Sequence, residues 1–170
     1  QIDSFKTSQL AALDTLQISK LQTDDIAGLS TAQVVALSSD QIVALTTTQM
    51  DSMTATQIRA IETADLVTLT TSDLNAMSSD WFGALSTTQI AAMTTLQIST
   101  MATDDLASLS GSQFSALNTS QIHALTTLQM HSLSVTEAGA LTSTQAAVLN
   151  SDQLGAITTI DIAALTTAAV

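Results

Sequence analysis

The two histidines, His123 and His131, are the residues whose types and spacing come nearest to a metal site. They are eight residues apart, and imidazole nitrogens are common zinc ligands. Zinc takes three or four protein ligands, and neither histidine has a carboxylate within its own eight-residue segment. We therefore expect both side chains to face solvent, and we predict no metal site and no cofactor.

Two acidic pairs, Asp24-Asp25 and Asp104-Asp105, are the next candidates for chemistry. Clustered carboxylates suit Ca²⁺, and a pair of carboxyl groups can hydrolyse a glycosidic bond. The glycine-rich motif of calcium-binding repeats is missing, however, and nothing in the sequence predicts a cleft. With no recognisable nucleophile, phosphate or zinc-protease motif either, the sequence predicts no catalytic residues and no enzyme.

The single tryptophan forms a third candidate with its neighbour, as Trp81-Phe82. Tryptophan is favoured where proteins bind one another. The pair is therefore a candidate contact for a protein or glycan partner. The alternative is that the tryptophan only covers part of the core.

All these residues lie within one repeat that runs through the chain. The unit has eight residues, [Ser/Thr]-Thr-x-[Gln/Asp]-[Ile/Leu/Met]-x-Ala-Leu, and whole copies extend from Lys6 to Leu165, with partial copies outside them. We call the unit an octad and number its positions 1 to 8. We predict that residues 1–170 are one array, and expect it to be a segment of a longer one.

The octad pattern predicts short helices. Positions 5 and 8 are apolar throughout, position 7 is mostly small, and position 6 accepts almost any residue. We therefore expect positions 5 and 8 to be buried and position 6 to face solvent. One continuous helix is excluded, because eight residues at about 100° each would wind the apolar stripe around its axis.

The ends of these helices are also visible in the pattern. Position 1 is Ser, Thr, Asp or Asn in most octads, and position 4 is nearly always Gln, Asp or Glu. This is the capping box, with position 1 as N-cap. Most of the carboxylates lie at positions 1, 3 or 4, where the helix dipole favours negative charge.

The fold class expected is therefore all-α, a solenoid with one short capped helix per octad and two or three octads per coil. The alternative is a β-solenoid, because Thr and Ile favour strands. Leucine or isoleucine at position 3, in even-numbered octads only, hints at a structural period of two octads. A near-copy relates residues 6–29 to residues 86–109.

The octads STTQIAAM, TTLQISTM and NTSQIHAL resemble T-T-x-Q-I-x-A-L arrays of very large exported bacterial proteins, which are often labelled haem-utilisation or adhesion-like. The resemblance covers the whole chain. It implies a secreted or cell-surface location and a spacer, stalk or filament role, and it implies no catalytic residue. Two exposed histidines without an apolar pocket make a poor haem site.

Composition limits the partners. A net charge of −12 argues against nucleic acid and anionic membrane surfaces, and no apolar run is long enough for membrane insertion. We expect a structural rod whose partner is itself, end to end or through continuation of the array. Four apolar residues are predicted for these end contacts: Ile2, Phe5, Leu165 and Val170. The alternative is a binding module that presents a threonine-rich face to ice, a glycan or a protein.

Overall fold

The computed structural model describes residues 5–165, which form twenty short helices and no strand. The chain divides into two compact units, Gln1–Leu85 and Ser86–Val170. The helices of the first unit are α1 Thr7–Leu10, α2 Thr15–Ser19, α3 Thr23–Ala27, α4 Thr31–Val35, α5 Ser39–Val43, α6 Thr47–Asp51, α7 Ala55–Ala60, α8 Thr63–Leu66, α9 Thr71–Leu74 and α10 Ser79–Ala84.

The second unit repeats this arrangement with ten further helices. They are α11 Thr87–Ala92, α12 Thr95–Thr100, α13 Thr103–Ala107, α14 Gly111–Ser115, α15 Thr119–Ala124, α16 Thr127–His131, α17 Val135–Ala140, α18 Ser143–Ala146, α19 Ser151–Ala156 and α20 Thr159–Ala164. The prediction of an all-α solenoid with one helix per octad is confirmed. The β-solenoid alternative is wrong for the described residues.

Each helix begins where the capping pattern places it. The N-cap is position 1, which has extended backbone, and its side chain usually accepts a hydrogen bond from the main-chain N–H of position 4. In α15 the N-cap Asn118 has φ −76° and ψ 166°, and its Oδ1 accepts from Gln121 at 3.0 Å. These caps satisfy main-chain donors that a short helix cannot satisfy within itself.

Each helix ends without a special turn residue. After α15, Leu125 at position 8 adopts φ −59° and ψ 135°, and the next N-cap Thr126 is extended as well. Two consecutive extended residues redirect the chain, and no described residue has a positive φ. The array therefore turns after every helix without glycine or proline at a fixed position.

Stacking joins helices that are three octads apart. In the first unit α1 packs on α4, α2 on α5 and α3 on α6, and in the second unit α14 packs on α17 and α17 on α20. One coil is therefore three helices and 24 residues, at the upper end of the two or three octads expected. The hint of a two-octad period was wrong, because position 3 takes no part in this stacking: Leu16, Leu96, Leu128 and Ile160 are strongly exposed.

The core is built from positions 5 and 8, as predicted. Ile90, Ile98 and Ile122 at position 5 are fully buried, and Leu125 at position 8 is nearly so. Position 6 faces solvent in Arg59, whereas position 4 is buried in most octads, which the sequence did not predict. The single-array organisation of the whole chain stays a prediction.

Candidate functional site: the junction between coils

The position-4 glutamine side chain uses both ends of its amide. Its oxygen closes the capping box of its own helix, so that Gln121 Oε1 accepts from the main-chain N–H of Asn118 at 2.7 Å. Its nitrogen points into the neighbouring coil. Gln121 Nε2 donates to the carbonyl oxygens of Ile90 at 2.8 Å and Met93 at 2.7 Å, which lie 31 and 28 residues earlier.

The same pair of bonds recurs in both units. Gln41 Nε2 donates to Leu10 O and Leu13 O, at 3.1 and 2.7 Å. Glutamines with the same two spacings are Gln41, Gln49, Gln57, Gln121, Gln129, Gln145 and Gln153. We call these pairs the cross-coil glutamine bonds. They satisfy carbonyl groups at the end of one helix and in the connection that follows it.

Burial makes these bonds important for stability. Gln121 is 0% exposed, so its amide depends on protein partners for every hydrogen bond it makes. The cross-coil partners of a glutamine lie 31 and 28 residues earlier, and for Gln9 and Gln17 the described residues include none at those positions. The side chains of Gln9 and Gln17 are exposed instead. Sequence analysis found the capping half of this arrangement and missed the cross-coil half. The missed signal was the preference for Gln over Glu at position 4, since a capping box accepts either residue.

Glu137 shows what happens when the donor is lost. Its Oε2 accepts from the main-chain N–H and the hydroxyl of Ser134, both at 2.8 Å, whereas its buried Oε1 has no hydrogen-bond partner. The glutamine spacing would direct this atom towards the carbonyl groups of Leu106 and Leu109. Burial raises the pKa of Glu137, and the charge of Asp161 on α20 raises it further, while the two bonds from Ser134 lower it.

Trp81 occupies position 4 of α10, and Phe82 occupies position 5. They are 1% and 0% exposed, and their rings meet edge to face with centroids 5.5 Å apart. The structure thus places both in the core, in line with the alternative that the tryptophan covers core. This placement gives no support to a partner contact, which stays a prediction. Trp81 Nε1 is buried without a partner.

The capping role that Trp81 cannot fill passes to a residue of the preceding coil. Asp51 Oδ1 accepts from the main-chain N–H of Ser78 at 3.0 Å and from its hydroxyl at 2.8 Å. Asp51 is one of two carboxylates that depart from the charge pattern of the octads. Its place at position 6 of α6 is explained by this bond.

Within the described residues, the other side chains considered for metal binding or catalysis do not form a cluster. His123 and His131 are exposed at position 6, and His131 Nδ1 lies 3.2 Å from the carbonyl oxygen of Ala156. The acidic pairs lie in the first turns of α3 and α13. Within residues 5–165 no three His, Cys, Asp or Glu side chains are grouped as metal ligands.

The predicted end contacts are only partly within the described chain. Phe5 is 37% exposed, and Leu165 is half-buried. Ile2 and Val170 lie outside the described residues. Across the described part, no helix has the length and apolar content needed to cross a bilayer.

The octad repeat agrees with a comparison against known families. The family model of the ALTTAQ repeat matches residues 18–55, 58–95 and 98–135, which together make up more than half of the chain. The chain belongs to the ALTTAQ repeat family. Successive ALTTAQ matches begin 40 residues apart, which is five octads, and the matched segments begin at position 5. The sequence matches no curated protein, and the family description names a repeat without a ligand or reaction.

Proposed function

We propose that this ALTTAQ array is a non-catalytic structural element, a spacer, stalk or filament segment whose length is set by its number of octads. One observation carries the proposal: the same buried amide bonds the same two carbonyl positions in coil after coil, as Gln41 does in the first unit and Gln121 in the second. Identical junctions let an array grow by adding coils without a new kind of contact.

A deletion within the second unit tests this proposal. Removal of residues 110–133 takes out three octads and leaves the register intact, so the circular dichroism per residue should stay helical. The longest dimension measured by small-angle X-ray scattering should fall by about 8–10 Å, the spacing of packed helices. An unchanged dimension would overturn the spacer role.

The matched control removes residues 110–129, which shortens the chain by a similar amount but breaks the octad register. The residues after the deletion then have their apolar positions out of phase with those before it. This variant should lose helical signal and unfold at lower denaturant concentration than the in-register deletion. If both deletions behave alike, the octad register does not set the structure of the array.

A secreted or bacterial cell-surface location is part of the same proposal. Its support is the resemblance to exported bacterial arrays, together with a surface rich in Ser and Thr, few charges and no cysteine. Partners under this proposal are further copies or a continuation of the array, and nucleic acid is not among them.

The alternative, a binding module with a repeated threonine face, has one observation in its favour. Position 2 is exposed or half-buried in every described octad. Because α12 packs on α15 and α15 on α18, their position-2 residues Thr95, Thr119 and Ser143 belong to consecutive coils of one face. Replacing these three by Asp should abolish binding to ice or glycan under this alternative and leave the spacer dimension unchanged.

A further inference from the structure

One whole coil of the described array lacks the cross-coil glutamine. It consists of α8, α9 and α10, where position 4 is Asp65, Asp73 and Trp81. Elsewhere in the described chain, position-4 residues other than Gln occur singly, at Asp25, Asp105, Glu137 and Asp161. A carboxylate has no proton to donate, so α8 and α9 cannot repeat the bonds that Gln57 makes from α7.

The three helices of this coil differ in what replaces the missing bonds. Asp65 still reaches the preceding coil, because the Ser39 hydroxyl donates to its Oδ1 at 2.5 Å. Asp73 instead accepts from the main-chain N–H and hydroxyl of Thr70, the N-cap of its own helix. While α5 packs closely on α8 and α7 on α10, α6 and α9 are not among the closely packed helix pairs.

The last helix of the coil is attached by a different means. Trp81 and Phe82 are buried, and α10 packs on α7. Ser78, the N-cap of α10, is bonded to Asp51 of α6. Burial of two large aromatic side chains compensates for the missing glutamine, so α10 is held against the preceding coil by apolar packing.

We propose that residues 62–77, which contain α8 and α9, form an opening segment that detaches from the native array by itself. Its limits are α7, anchored by Gln57, and α10, anchored by Trp81. Segments of a folded protein open with separate free energies, and those with few buried contacts open most often. In a solenoid each coil contacts only its neighbours, so such an opening leaves distant coils folded.

Hydrogen–deuterium exchange of the whole chain, followed by mass spectrometry, tests this proposal. Residues 118–133, which contain α15 and α16 with Gln121 and Gln129, are the internal reference, since they also span two helices. Each exchange rate is first divided by the rate expected for the same amide in an unfolded chain. On this scale, amides of residues 62–77 should exchange at least about tenfold faster than those of the reference. Equal protection of the two segments would overturn the proposal.

Two variants make the cause of the opening testable. Asp65→Gln with Asp73→Gln restores both donors and should slow exchange in residues 62–77 by about tenfold or more. Gln121→Asp with Gln129→Asp should make residues 118–133 exchange as fast as the natural opening segment. If the first variant keeps its helical circular dichroism and its exchange in residues 62–77 is unchanged, the missing glutamines are not the cause, and the proposal fails.

Discussion

At position 4 the chain needs an acceptor for its own helix and donors for the neighbouring coil. The amide of glutamine supplies both from one side chain, whereas a carboxylate supplies only the acceptor. In Gln57 the oxygen accepts from Thr54 N at 2.7 Å while the nitrogen donates to Ile26 O at 2.8 Å and Leu29 O at 2.7 Å. One residue type therefore couples the start of each helix to the stacking of coils.

Gln121→Glu isolates the donor half of this role, because it keeps the shape and the capping oxygen. The variant should lose about 2–3 kcal/mol of unfolding free energy, since two buried carbonyl groups lose their donors. Urea denaturation followed by circular dichroism measures the loss. The control is Gln17→Glu, which changes an exposed glutamine at the same octad position and should cost less than about 0.5 kcal/mol. Equal losses at the two sites would contradict a cross-coil role.

Glu137→Gln makes the reverse change and should stabilise the array by about 1–3 kcal/mol at neutral pH, because the new amide can donate towards Leu106 O and Leu109 O. The gain should depend on pH. The pKa of Glu137 is raised in the folded state, mainly by burial, so the folded chain binds its proton more tightly than the unfolded chain. The contribution of this proton is complete below the unfolded-state pKa and is lost as pH rises through the folded-state pKa.

The measurement for this prediction is urea denaturation of both proteins between pH 4 and pH 8. The stability difference between Glu137→Gln and the unchanged protein should shrink as the pH falls. Among the helices packed on α17, α20 adds the charge of Asp161 and α14 carries no charged residue. A difference that stays constant with pH would show that Glu137 does not bind its proton more tightly in the folded state.

At the scale of the helix, each element has only four to six residues. This is far below the roughly 12–15 residues at which isolated helices become stable in water. Caps satisfy the first turn, and the coil before or after buries positions 4, 5 and 8. No helix of this array is therefore expected to persist once its neighbours are removed.

Sequence analysis reached the helices because their signals are local. Cap, first-turn charge and apolar spacing all lie within one octad, as in Ser86 to Met93. The cross-coil bond joins Gln121 to a carbonyl 31 residues away, and no local pattern marks that distance. For the same reason the sequence alone suggests a partner contact at Trp81, since the burial of this side chain depends on helices that are distant in sequence.

At the scale of the molecule, two compact units carry the same kind of coil, and the break between them follows Leu85. Residues 6–29 and 86–109, the near-copies seen in the sequence, begin the octads of the two units. Successive ALTTAQ matches begin five octads apart, which is not a whole number of three-octad coils. The 40-residue spacing of the family matches and the 24-residue coil are therefore independent periods. Neighbouring octads are equivalent to one another only in their local contacts.

In the last two described helices, α19 and α20, the position-5 side chains are less covered than in the earlier helices. Leu154 and Ile162 occupy position 5, which is buried in α1 to α17, yet they are 47% and 49% exposed. A further coil, from a second copy or from a continuing array, would cover them as α17 packs on α14, where the position-5 residue Phe114 is fully buried. We therefore expect the 170-residue chain to associate end to end, since two complementary ends form a contact that propagates.

Light scattering over a concentration series measures this association, and the apparent mass should rise with concentration. Leu154→Asp with Ile162→Asp should lower that rise, because charges on the uncovered positions would have to be buried without partners. Val135→Asp is the matched control: Val135 is 52% exposed, but its helix α17 already has α14 and α20 packed on it. It should leave the association unchanged. A mass that stays at that of one chain at every concentration would show that these helices do not recruit another copy.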